Sequence, residues 1–179
     1  QEGAKPGELM IGINPGAFKQ AKRWPEPRYA QLCDALIGEF KAKVIIFQGP
    51  GEDEVIGRVL SLMKGKAIIA KTGIKELAAI SRRCRLFIGN DTGPTHVAAA
   101  SGTPVIALFG PADPERSRPW GRGHVVIKKD VPCSPCTRKI CQTQTCMESI
   151  TVEEVLQAVR LQLERTGKSD SGEPFANGS

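Results

Sequence analysis

The stretch Leu86-Phe87-Ile88-Gly89-Asn90-Asp91-Thr92-Gly93-Pro94-Thr95-His96-Val97-Ala98-Ala99-Ala100 decides how the chain folds. It opens with a short apolar run bounded by turn residues, the pattern of a buried parallel strand. Gly-Asn-Asp-Thr-Gly breaks that run, and an Ala-rich helix follows. Asp91 or Thr92 suits the N-cap, and Pro94 suits the first helical position, where its missing N–H has no partner to lose. Gly93 carries no side chain, so a ligand can come close to the backbone. The free N–H groups and the positive dipole end of such a helix favour an anion, and His96 adds a hydrogen-bonding group in the first turn. The turn also lies at the carboxyl end of a strand, where open α/β sheets take their ligands. The same residues equally suit an ordinary strand-to-helix connection that binds nothing.

Strand and helix alternate on both sides of this stretch. Upstream, strands are expected at Leu9–Ile13, Val44–Phe47 and Lys66–Ala70, with Arg85–Ile88 as the fourth. Between them lie a helix opened by Pro27 and running across Tyr29 to Phe40, a second over Val55–Met63 and a third over Ile74–Arg82. Downstream, Thr103–Phe109 is a fifth strand and His124–Ile127 a sixth, at an edge. A last helix runs from Thr151 to about Arg165, where Thr151 and Glu154 have the spacing of a capping box. The fold class is therefore α/β, a Rossmann-like parallel sheet with helices on both faces. Residues 1–8 form a linker, residues 9–165 one domain, and residues 166–179 a mobile polar tail.

The 179 residues suffice for one well-buried α/β domain and are too few for two. The first residue is Gln1, not Met, so the chain is expected to be a piece of a longer one. No apolar run has the length of a membrane span, and no secretory signal opens the sequence. The formal net charge of +6 suits a partner carrying phosphate, or an anionic membrane surface. Nucleic acid is not expected, because the single Tyr, the absence of a long basic run and the lack of any zinc-finger or RNA-recognition signature argue against it.

Several loops fall at strand carboxyl ends, after Ile13, Phe47, Ala70, Ile88 and Phe109. In the first, Lys22 and Arg23 follow Asn14-Pro15-Gly16-Ala17 and offer charge to a phosphate; otherwise they are merely solvated. In the second, Gly49-Pro50-Gly51 starts like a dinucleotide fingerprint, but the third glycine is missing, and no Walker A sequence exists. Glu52, Asp53 and Glu54 open a helix there and suit its dipole. A carboxylate among them could also grip a ribose hydroxyl pair. No Gly-x-Ser-x-Gly elbow is present, and the only histidines are His96 and His124, so hydrolytic chemistry finds little support.

Cys133, Cys136, Cys141 and Cys146 place four thiols in one short loop. Four thiolates can enclose zinc or an iron–sulfur cluster. The spacing lacks paired Cys-x2-Cys knuckles, which leaves reduced or disulfide-paired cysteines as the other reading, and the role is structural in each case. Cys33 and Cys84 are expected in the core. With no export signal, a reducing cytoplasm is expected.

Taken together, these segments resemble the carboxyl-terminal half of a family 9 glycosyltransferase. Within that family they are most similar to ADP-heptose:lipopolysaccharide heptosyltransferases of the II type. The likeness rests on Asn14-Pro15-Gly16-Ala17 with Lys22-Arg23-Trp24-Pro25, on Gly89 to His96, and on Leu108-Phe109-Gly110-Pro111; the Cys-Ser-Pro-Cys loop also fits. It extends from about Leu9 to Leu163.

The resemblance implies the GT-B arrangement, in which two Rossmann-like domains face each other across a cleft. This chain corresponds to the nucleotide-sugar-binding domain, and the acceptor site and the catalytic base belong to the other one. By carry-over, Asp91, Thr92, Gly93 and His96 hold the diphosphate region of ADP-heptose, with Asp91 as a helix cap or a contact to sugar hydroxyls. Lys22 meets phosphate, and an acid of the Gly49-to-Glu54 loop takes the ribose. The family's usual Glu position is filled by Asp53, with Glu54 beside it. No cofactor is required, and the lipopolysaccharide core is the acceptor, at the cytoplasmic face of the inner membrane. The alternatives are a non-catalytic nucleotide-binding module and half of a nucleotide-sugar epimerase.

Overall fold

The structure, a computed structural model, describes residues 8–169. Strands β1 (Met10–Asn14), β2 (Lys43–Gln48), β3 (Ile68–Lys71), β4 (Leu86–Asn90), β5 (Val105–Phe109) and β6 (Val125–Lys128) form one sheet. Their order is β3-β2-β1-β4-β5-β6, and every pairing is parallel. Seven helices connect them among the described residues: α1 (Glu26–Gly38), α2 (Asp53–Leu62), α3 (Ile74–Ser81), α4 (Gly93–Ala100), α5 (Pro114–Ser117), α6 (Thr145–Glu148) and α7 (Val152–Ser169).

The period of two along each strand sorts the core into two layers. Ile11 and Ile13 of β1, Val44 and Ile46 of β2, and Leu86 and Ile88 of β4 pack against α1, α2 and α7. Met10, Ile45, Phe47, Phe87, Ala107 and Phe109 point the other way, onto α3 and α4. Gly12 is required in that second layer: a Cβ there would lie 2.8 Å from the Phe87 ring and 3.0 Å from that of Phe47. Both faces are thus covered, as an all-parallel sheet demands. Cys33 and Cys84 are buried thiols, and burial pushes both up to about 12.

Element boundaries shift by a residue or two from the sequence expectation. Three short pieces were not expected: a 3-10 turn over Gln20–Lys22 and the four-residue helices α5 and α6. The last helix continues past Arg165 to Ser169, so it takes in residues 166–169 that the sequence assigns to a tail. Arg85 Nη2 donates to the Thr166 carbonyl at 3.1 Å and ties this extra turn to the start of β4. The remaining tail, residues 170–179, and linker residues 1–7 lie outside the described residues.

Candidate functional site

β1 and β4 are neighbours, yet the chain leaves them for opposite faces of the sheet, from β1 to α1 and from β4 to α4. Open α/β sheets bind ligands in the crevice such a reversal creates. The two loops singled out in the sequence, Asn14 to Trp24 and Asp91 to Gly93, form its two lips.

Lys22 and Asp91 meet there. The Lys22 ammonium pairs with the Asp91 carboxylate and donates to the Asp91 carbonyl at 3.1 Å. Asp91 is only 4% exposed, and His96 Nε2 stands 3.4 Å from its other oxygen. The carboxylate therefore sits between two groups that can hold an anion. Asp91 does not cap α4. Thr92 occupies the N-cap position, but no side chain there accepts from the first-turn amides. Its hydroxyl is instead 3.2 Å from Asn14 Nδ2. The space in front of the helix is open, since a Cβ on Gly93 would meet nothing within 4 Å. The open helix start favours negative charge in front of it, and the Lys22 ammonium beside it is balanced by Asp91.

A crevice of about 410 Å³ runs from this point between Gly49-Pro50 and Thr72-Gly73-Ile74, with Asn14 and Val97 in its wall. Its size is ordinary for a small-molecule site. The three acids after β2 part company here. Glu52 turns inward: it accepts from the Gly49 amide at 2.8 Å, and a Cβ on Gly16 would lie 1.9 Å from its carboxylate. Asp53 and Glu54 face solvent. Asp53 is bound by Gln48 and Lys71, and the Lys71 hydrogen bond lowers its carboxyl pKa. Glu54 pairs with Arg58 one turn on. The structure thus brings Lys22, Asp91, Thr92, Gly93 and His96 together and leaves Asp53 and Glu54 outside. Glu52, named in the sequence only as one of three helix-opening acids, is the one beside the first loop.

The cysteine segment braces the turn that carries Lys22. Ala21 N donates to Lys139 O at 3.0 Å, Cys141 N donates to Gln20 Oε1 at 3.0 Å, and Gln144 Nε2 donates to Gln20 O at 2.6 Å. All four cysteines of the segment are free thiols. Among the described residues no three metal-ligating side chains converge, so the metal envisaged for this loop finds no preformed cage. Cys133 is exposed, Cys146 is buried, and Cys141 is engaged by its own turn. The Gln144 amide donating to Cys141 lowers that thiol's pKa, while burial raises that of Cys146.

The family model of glycosyltransferase family 9 (heptosyltransferase) matches residues 2–147. This chain belongs to glycosyltransferase family 9. Lipooligosaccharide heptosyltransferase 2 of Campylobacter jejuni is 31% identical over 166 residues, covering 87% of this chain and 52% of that protein. A family 9 glycosyl transferase from Veillonella parvula superposes with a TM-score of 0.79 at 30% identity, covering 91% of this chain and 48% of its own. Escherichia coli ADP-heptose LPS heptosyltransferase II gives a TM-score of 0.78 at 27% identity, over 90% and 48%. The Rossmann-like sheet expected from the sequence is the fold these family 9 structures share. The chain spans about half the length of the curated relatives it matches.

Proposed function

We propose that this chain is the donor-binding half of a heptosyltransferase that moves heptose from ADP-heptose to the lipopolysaccharide inner core. The observation that carries the reading is the Lys22 ammonium, held by Asp91, beside the open start of α4 at the sheet's switch point. Glycosyl transfer from a nucleoside diphosphate builds negative charge on the departing phosphate as the sugar–oxygen bond breaks. Lys22, the amides of Thr92 and Gly93, and His96 receive that charge without any proton having to move first. Asp91 keeps Lys22 and His96 aimed. Glu52, in place of Asp53 or Glu54, takes the ribose hydroxyls, because it alone of the three acids turns toward the first loop. The name of the Escherichia coli relative supports ADP-heptose as the donor.

In this reading the acceptor site and the catalytic base lie in the other half of the enzyme. The whole enzyme works peripherally at the cytoplasmic face of the inner membrane. A net charge of +6 suits an anionic surface, and no described helix is long and apolar enough to cross a membrane.

Calorimetric titration with ADP, UDP and GDP tests the donor site. ADP binds best, and Lys22→Ala weakens it about tenfold to a hundredfold, the usual worth of one or two charge-assisted hydrogen bonds. His96→Ala costs a few-fold. An ADP affinity indifferent to both substitutions removes the site. The chain alone is expected to bind ADP and to transfer nothing; heptose transfer by it alone would overturn the division of labour.

A further inference from the structure

Asn90 is the residue before Asp91, at the last position of β4, and it is fully buried. Its carboxamide makes all four hydrogen bonds available to it. Nδ2 donates to Pro15 O at 2.9 Å and to Gly16 O at 3.3 Å. Oδ1 accepts from Trp24 N at 3.0 Å and from the Tyr29 hydroxyl at 3.0 Å. The orientation is not a matter of choice, because Trp24 N can only donate and Pro15 O can only accept.

These partners are the two ends of one loop. Pro15 and Gly16 are its entry and Trp24 its exit, and Lys22 lies between them. The next residue after Asn90 is Asp91, the ion-pair partner of Lys22. One side chain therefore fastens both ends of the lysine-bearing loop to the strand whose turn holds the anion site. Trp24 is also anchored through Nε1 to Ile150 O at 3.0 Å and by its edge-on contact with Tyr29, ring centroids 4.9 Å apart.

We infer that Asn90 is a positioning residue for donor binding, one that sets Lys22 against the start of α4 without touching the ligand. The inference rests on the donor site proposed above. It assigns a role to a residue that sits inside the best-marked motif of the chain and is too deeply buried to contact a nucleotide.

A double-mutant cycle separates positioning from simple structural support. Asn90→Ala is combined with Lys22→Ala, and ADP affinity is read in all four proteins. Asn90→Ala weakens ADP about tenfold when Lys22 is present, and changes it by less than about twofold when Lys22 is already gone, since coupled neighbours are non-additive. Equal losses in both backgrounds would reduce Asn90 to a fold-stabilising residue, and no loss in either would also sink the idea. Asn90→Ser, uncharged and short of the loop ends that the carboxamide reaches, takes Asn90→Ala's place in the cycle if the alanine protein fails to fold.

A second readout needs no ligand. Backbone order parameters for Gly16 to Arg23, about 0.85 in a rigid loop, fall toward 0.6 in the Asn90 variant while those of β2 and β5 hold. A loop as ordered as in the parent protein would overturn the inference. Should ADP fail to bind the parent chain, the donor assignment falls, and loop order still decides the role of Asn90.

Discussion

Lys22 carries two separable contributions. Asp91 is 4% exposed, so its carboxylate depends on the ammonium beside it, and removing one partner of such a pair leaves a buried charge uncompensated. Lys22 is itself 22% exposed, which trims the cost. Lys22→Ala is expected to lose about 1–3 kcal/mol of stability, a drop in Tm of about 2–10 °C for a domain of this size. Adding Asp91→Asn restores most of that Tm, because the orphaned charge is gone, yet leaves ADP affinity low. Thermal melts and calorimetry on the three proteins check this, and a single variant that melts like its parent would show that the pair holds nothing in place. Lys22, Asp91 and His96 stand out in the sequence because each follows a glycine-bearing turn at the end of a strand, and the structure brings the three together. Glu52 does not stand out. Its neighbours Asp53 and Glu54 suit a helix dipole equally well, and only the path of the backbone from Gly49 shows which of the three acids turns inward.

At the level of elements, the strands were legible because short apolar runs between turn residues leave few other options. Helices α5 and α6 were not, since four residues cannot repay helix nucleation by propensity alone. Local contacts make them: Asp113 Oδ1 accepts from Glu115 N at 3.1 Å at the start of α5. The capping box of α7 was legible and is present, with Thr151 N donating to Glu154 Oε2 at 2.9 Å and Glu154 N to Thr151 Oγ1 at 3.2 Å. No sequence pattern signals that Lys129 pairs with the same carboxylate, and that pairing, with the cap hydrogen bonds, lowers the Glu154 pKa to about 2. A carboxyl whose folded pKa lies below its unfolded value of 4.5 stabilises the protein above about pH 4.5 and loses that contribution as pH falls toward 2. Glu154→Gln keeps the cap geometry and deletes the charge. Because the group is about a third exposed, the expected cost at pH 7 is no more than about 1 kcal/mol. Urea unfolding of both proteins should show that difference shrinking between pH 4.5 and 2; a difference that persists there would assign it to the cap, not the ion pair.

Across the whole molecule, the loop that carries Lys22 is hydrogen-bonded to a segment far from it in sequence. The residues after β6 pass beneath the loop that ends β5, where Ser134 Oγ donates to Gly110 O at 2.8 Å and Cys136 N to Pro111 O at 2.7 Å. They then reach Gln20 and Ala21, and the chain passes Ile150, whose carbonyl accepts from Trp24 Nε1, just before α7. The cysteine spacing left this segment open between a metal loop and reduced or disulfide-paired thiols; its thiols are free, and its contacts to the first loop come from its backbone and from Gln144. No periodic pattern marks such contacts, which arise only when the sheet order brings β1 and β5 to either side of β4. The consequence is that Lys22 should respond to changes that touch no ligand. Gln20→Ala removes the acceptor for Cys141 N, and Gln144→Ala removes the donor to Gln20 O. Each loses a single hydrogen bond, worth about 1 kcal/mol, so each is expected to weaken ADP by a few-fold. Gln142→Ala, an exposed position in the same segment, serves as the control and is expected to change nothing. If Gln20→Ala and Gln144→Ala bind ADP like the control while melting earlier than it, the segment supports the fold but does not set the lysine, and the brace and the site are independent.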